Sequence, residues 1–154
     1  MPTSRNDRRV RTGQSPVQKA ALAVGAVFLV VGVLGFIPGI TSHYGAMEFA
    51  GHESGAKLFD VFQVSVLHNI VHLLFGVAGL ALASTWSGAR AYLVGGGVIY
   101  LVLWLYGLLV EQNNEANFVP VNNPDDWLHF VLGVGMIALG LVLTRGRAPS
   151  APVL

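Results

Sequence analysis

Two histidines four residues apart, His68 and His72, lie in the apolar run Leu67 to Gly79, and a third, His129, follows Asp125-Asp126-Trp127-Leu128. Spacing of i and i+4 puts two imidazoles on one helix face, the arrangement two ligands of a shared transition metal need. His72 and His129 on separate helices instead suit bis-histidine haem ligation in a bundle core. Asn69 and Asp126 each precede a histidine by three residues, so each can hydrogen-bond the imidazole after it and set its tautomer. Asp126 also reads as a helix N-cap after Pro124. The candidate cofactor site is therefore His72 and His129 backed by Asn69 and Asp126, and the candidate metal pair is His68 and His72.

Three histidines with no defined carboxylate partner equally fit a hydrogen-bonded packing cluster, which is the default reading because neither ligand pattern is specific. A proton-linked use is the third: histidines near the outer surface titrate between pH 5 and 8, although no charged residue lies in the inner half of any span. His43 and His52, with Glu48 and Glu53, read as solvated loop residues.

The elements that must position these groups are transmembrane. Of 154 residues, 53% are hydrophobic and 11% charged, and the mean hydropathy is +0.61. Soluble domains carry about 25% charged residues, so the composition is that of an all-α membrane protein. Spans are expected at about 20–37, 61–86, 91–110 and 127–143, forming one transmembrane domain over 20–144, between a tail at 1–19 and a tail at 145–154. The first apolar run is long and no small-x-small cleavage pattern follows closely, so it reads as an uncleaved helix.

Charge gives the orientation. Arg5, Arg8, Arg9, Arg11 and Lys19 precede the first span, Arg90 sits in the short turn Ser87-Gly88-Ala89-Arg90, and Arg145 and Arg147 follow the last. The Gly39–Asp60 and Glu111–Asp126 loops are net acidic. Both termini are thus expected in the cytoplasm, in the cytoplasmic membrane, with anionic lipids at the basic N-terminal segment and no nucleic acid as partner. Trp86, Trp104, Trp127, Tyr92 and Tyr106 read as interfacial anchors.

The spans also look duplicated. Aligning His72 with His129 brings Gly76 onto Gly133, Val77 onto Val134, Ala81 onto Ala138 and Asn69 onto Asp126; the first and third spans match more weakly, Gly25 on Gly96 and Val27 on Val98. A parallel repeat of a two-helix hairpin is the expectation, with His72 and His129 at equal depth. Glycines continue the histidine faces and repeat along the first span, so the histidines should point at other helices and the glycines at close crossings or room for a porphyrin.

No Walker loop, Gly-x-Ser-x-Gly elbow or His-Glu-x-x-His motif is present, and with no cysteine there is no thiolate chemistry. The elements His68-Asn69-x-x-His72-Leu-Leu-x-Gly76-x-x-Gly79, Asp125-Asp126-Trp127-Leu128-His129-x-x-x-Gly133 and Val33-Leu34-Gly35-Phe36-Ile37-Pro38-Gly39 resemble a family of small four-helix bacterial membrane proteins, common in actinobacteria, catalogued as a domain of unknown function. The likeness runs from about Gln18 to Leu143 and implies an integral membrane protein without an assigned activity. The expected function is a non-enzymatic packing or interaction protein of the cell envelope, with a homo-oligomer or other membrane proteins as partners. The alternatives are a haem- or metal-binding protein and a small transporter or proton-linked sensor.

Overall fold

The structure, a computed structural model, describes residues 13–145. The basic cluster Arg5–Arg11, Arg147 and the tail 148–154 lie outside them. Four helices run α1 (Pro16–Leu34), α2 (Val66–Leu82), α3 (Trp86–Leu109) and α4 (Asn123–Val142). Three of them are long and apolar enough to cross a membrane; α2, equally apolar, has 17 residues. At 1.5 Å per residue α2 is about 26 Å long, slightly under a typical hydrocarbon core of about 30 Å.

Each helix begins where a polar residue caps it, not where hydrophobicity starts, which shifts the expected boundaries. At α1, Pro16 occupies the first turn and Gln18 Oε1 accepts from the Ser15 amide (3.0 Å) and hydroxyl (2.9 Å). Ser65 Oγ accepts from the His68 amide at 3.1 Å and starts α2 five residues later than the apolar run suggests. Thr85 Oγ1 accepts from the Gly88 amide at 3.0 Å, so the expected Ser87–Arg90 turn is the first turn of α3. The N-cap of α4 is Asn122, not Asp126: Asn122 Oδ1 accepts from the Asp125 amide, and Asp125 Oδ2 accepts from the Asn122 amide, both at 3.1 Å.

The connection between α1 and α2, expected as a polar outer loop, is folded. Three two-residue strands, β1 (Thr41–Ser42), β2 (Lys57–Leu58) and β3 (Phe62–Gln63), pair antiparallel in the order β1-β2-β3, with Thr41 opposite Leu58 and Leu58 opposite Phe62. Beneath them Ala56, Leu58 and Val64 are buried against Val31, Leu34, Met47 and Phe62. This cap is tied to the α3–α4 connection and to α4: the Gln63 amide donates to Asp125 Oδ2 (3.0 Å), Asn122 Nδ2 to the Val61 carbonyl (2.8 Å), and the Gly51 amide to the Phe118 carbonyl (2.7 Å).

The helices form two hairpins, α1 with α2 and α3 with α4, joined mainly where α1 meets α3; α1 and α4 barely touch. The hairpins repeat one another contact by contact. A Cβ on Gly25 would meet the Gly76 carbonyl at 3.0 Å, and one on Gly97 the Gly133 carbonyl at 2.7 Å. Leu29 packs on Gly76 as Leu101 packs on Gly133. Asn69 lies on Gly35 as Asp126 lies on Gly107. These pairs equate Gly25 with Gly97, not with Gly96 as the sequence alignment had it. Within Gly95-Gly96-Gly97 composition could not choose the register; the backbone approach does. Tyr92 departs from its expected role too: it is buried in the core with Phe28, Leu93, Tyr100 and Met136, against Gly79, and anchors no interface. Trp127, 63% exposed at the start of α4, is placed as an anchor should be.

Candidate functional site

The capped ends of α2 and α4 place three histidines around one small cavity of about 90 Å³. His68, His72 and His129 line it together with Asp125, Val31, Leu128 and Leu132, and Leu58, Phe59, Phe62 and Val64 of the cap close it from outside. His68 and His129 are buried, 6% and 5% exposed. The rings of His68 and His72 stand edge to face with centroids 4.5 Å apart. His72 lies against Phe28 (5.5 Å) and His129 against Tyr100 (5.3 Å), while Phe28 and Tyr100 touch each other at 5.3 Å. That chain of rings follows the hairpin repeat, since Phe28 and Tyr100 occupy matching positions three residues after Gly25 and Gly97.

The Nδ1 atoms of all three histidines are buried and have no hydrogen-bond partner. A buried polar atom costs about 1–3 kcal/mol when left unpaired, so such a group calls for an explanation such as a water, an ion or a ligand. The three histidines that carry them all line one cavity. A hydrogen-bonded packing cluster would have used them, and no bond joins one imidazole to another.

The residues expected behind the histidines do other work. Asn69 Oδ1 and Asp126 Oδ1 have no hydrogen-bond partner, and Asn69 Nδ2 has only Met47 Sδ, 4.0 Å away. Both side chains pack on glycines of the facing helix, Gly35 and Gly107. The i−3 spacing puts them on the histidine side of the helix but turns them toward the hairpin partner, so neither orients an imidazole.

Asp125 is the residue that sequence reasoning missed. It is 2% exposed, lines the cavity, and holds the cap through Gln63. The alignment that pairs His72 with His129 also pairs His68 with Asp125, and that match was the available signal.

Neither candidate cofactor arrangement is complete. Among the described residues no three His, Asp or Glu side chains converge closely enough to hold a metal ion, so His68 and His72 would need ligands from elsewhere to complete a shell. A porphyrin does not fit between His72 and His129: the cavity is well below the roughly 300 Å³ at which pockets begin to take cofactor-sized ligands. The glycines that might have made room are filled instead, Gly76 by Leu29 and Gly133 by Leu101. His43 and His52 stay in the α1–α2 connection; His43 Nδ1 is 4.0 Å from Asp60 with both side chains exposed.

A profile of the family described as "Domain of unknown function (DUF4383)" matches residues 18–142, nearly the whole described region, both hairpins and the cavity included. The chain belongs to the DUF4383 family. No curated protein and no solved structure matches it. Membership makes the four-helix bundle with its capped histidine cavity the unit that the DUF4383 profile spans. It assigns no chemistry to the residues inside.

Proposed function

We propose that this DUF4383 protein is a non-enzymatic binding protein of the cytoplasmic membrane, whose ligand site is the cavity of His68, His72, His129 and Asp125. The carrying observation is that three buried histidines, each with an Nδ1 that has no hydrogen-bond partner among the described residues, line one small cavity. The volume suits a head of a few heavy atoms, or about three waters at about 30 Å³ each. Neutral imidazole offers one donor and one acceptor, so a cavity lined by histidines suits a group that both gives and takes hydrogen bonds.

A pure packing or interaction role has less support. The glycine faces that would have served it are consumed inside the hairpins, leaving Gly95 and Gly135 as the helical glycines with no neighbour within 4 Å.

The test is native mass spectrometry of the full chain released from mild detergent, with an absorption spectrum and metal analysis alongside. A bound organic mass in the parent protein, lost from a folded His68→Leu/His129→Leu variant, is the expected result. An identical mass spectrum for parent and variant overturns the reading. A Soret band or stoichiometric metal replaces it with the haem or metal alternative.

The proposal sets both termini in the cytoplasm and the histidine cavity at the outer end. Its support is the basic character of Lys19, Arg90 and Arg145 against the acidic outer loops. A reporter fused after Leu154 is expected to read cytoplasmic, and an external signal reverses the topology.

A further inference from the structure

The histidine cavity has a second neighbour besides the cap. A cleft of about 310 Å³ runs along the outside of the bundle, lined by Ala23, Val24, Val27, Phe28, Leu128 and Leu132 with Val31 and His72. Four of these residues, Val31, His72, Leu128 and Leu132, also line the histidine cavity. The cleft lies where α1 and α4, which belong to different hairpins, have little contact. Its wall is apolar except for His72, and Val27 is 57% exposed on the surface that faces lipid in a bilayer. A groove open to the hydrocarbon thus ends on His72, at the edge of the cavity that His68 and His129 also line.

We infer that the cleft and cavity together form one site, entered sideways from the membrane, for a single-chain amphiphile with a small uncharged hydroxyl head. The inference rests on the reading of the histidine cavity as a ligand site and adds the ligand's class and its route. The apolar cleft takes the chain, and three histidines at its end take the head.

Charge decides what kind of head. Among the described residues no Lys or Arg lines either space. A carboxylate or phosphate head would enter a low-dielectric pocket with no cation facing it. A hydroxyl both donates and accepts, as neutral imidazoles require of a partner. The small cavity holds a head of a few heavy atoms, and the cleft beside it holds one chain.

The experiment uses the full chain in nanodiscs of phosphatidylcholine, which avoids detergent as a competing amphiphile. Three probes share one C16 chain with a diazirine near its middle and end in a hydroxyl, a carboxylate or a methyl group. After photolysis, labelled peptides are mapped by mass spectrometry. The alcohol is expected to label Ala23–Val31 and Leu128–Leu132 at least fivefold more than the carboxylate or the alkane. Val27→Trp, which fills the mouth of the cleft, is expected to cut that labelling at least fivefold while helix content and melting stay unchanged.

Equal labelling by all three chains, or labelling spread over the lipid-facing surface, overturns the inference. A bound mass that persists in Val27→Trp, with no preference for the alcohol, leaves the histidine site standing but refutes the lateral route and the ligand class. Absence of both the bound mass and the alcohol preference refutes the two together.

Discussion

Leucine in place of Gly76 is expected to destabilise the protein by about 3 kcal/mol or more, and leucine in place of Gly133 to do the same. At Gly76 even a methyl group would sit 2.7 Å from Leu29 Cγ, 2.8 Å from the Gly25 carbonyl oxygen and 2.8 Å from the Leu29 amide nitrogen. At Gly133 it would sit 2.7 Å from Leu101 Cδ2 and 3.0 Å from the Gly97 carbonyl oxygen. Two of the three neighbours at Gly76 are backbone, which cannot rotate away, so a leucine there must push α1 off α2. Overpacking of a tight core costs about 1–3 kcal/mol where side chains can adjust and more where they cannot. Membrane helices have little else to hold them together, since lipid is as apolar as the seam. The matched control is Gly135→Leu, where nothing lies within 4 Å; it should stay within about 0.5 kcal/mol of the parent. Thermal melts in one detergent compare all three. Unchanged melting for both Gly76→Leu and Gly133→Leu would remove the hairpin seams as the source of stability.

The second large effect is expected at Asp125. Its Oδ2 accepts from two backbone amides, Gln63 of the cap at 3.0 Å and Asn122 of the helix start at 3.1 Å. Asp125→Ala leaves both donors without that acceptor in a half-buried region. At about 1–3 kcal/mol for each stranded group the total is about 2–4 kcal/mol, allowing for partial relaxation. The effect is local in space: the cap should loosen while the helices remain. Hydrogen exchange over residues 57–65 is expected to accelerate by at least tenfold in Asp125→Ala, with α1 and α3 unchanged. Asp125→Asn keeps an oxygen for one or both amides and should recover most of the protection. Exchange at parental rates in Asp125→Ala would mean that the cap is held by its apolar underside alone.

Much of this architecture was written in patterns that survive without a structure. Four apolar runs and the alternation of basic and acidic connections gave four helices, and the two His-containing runs aligned on each other gave the matched helices α2 and α4. The histidine faces carried glycine because close approach demands it, and the facing glycines are where the hairpins meet. Three things were not legible. The cap has strands of two residues each, too short for any alternation to register, and it exists only because Leu58, Phe62 and Val64 find Val31 and Leu34 beneath them. Asn69 and Asp126 have the spacing of imidazole partners, but spacing fixes a face within a helix and says nothing of which neighbour occupies it. Helix starts were misplaced because hydropathy marks where the apolar stretch begins, whereas Ser15, Ser65, Thr85 and Asn122 decide where the helix does. The carboxylate of the site, Asp125, lacks the one-turn spacing to His129 that its neighbour Asp126 has, and its pairing with His68 in the alignment is the signal that marks it.

The hairpin repeat has an outcome for anything seated between the two halves. Matching positions hold His72 and His129, a like pair, but also His68 and Asp125, Phe28 and Tyr100, Asn69 and Asp126, which are unlike. A frame with near-twofold geometry and identical linings would offer a guest two equivalent poses and so would tell it nothing about direction. Here one side presents a base where the other presents an acid. The scaffold is a palindrome whose letters have been changed at its centre, and a molecule held there can be read one way round only.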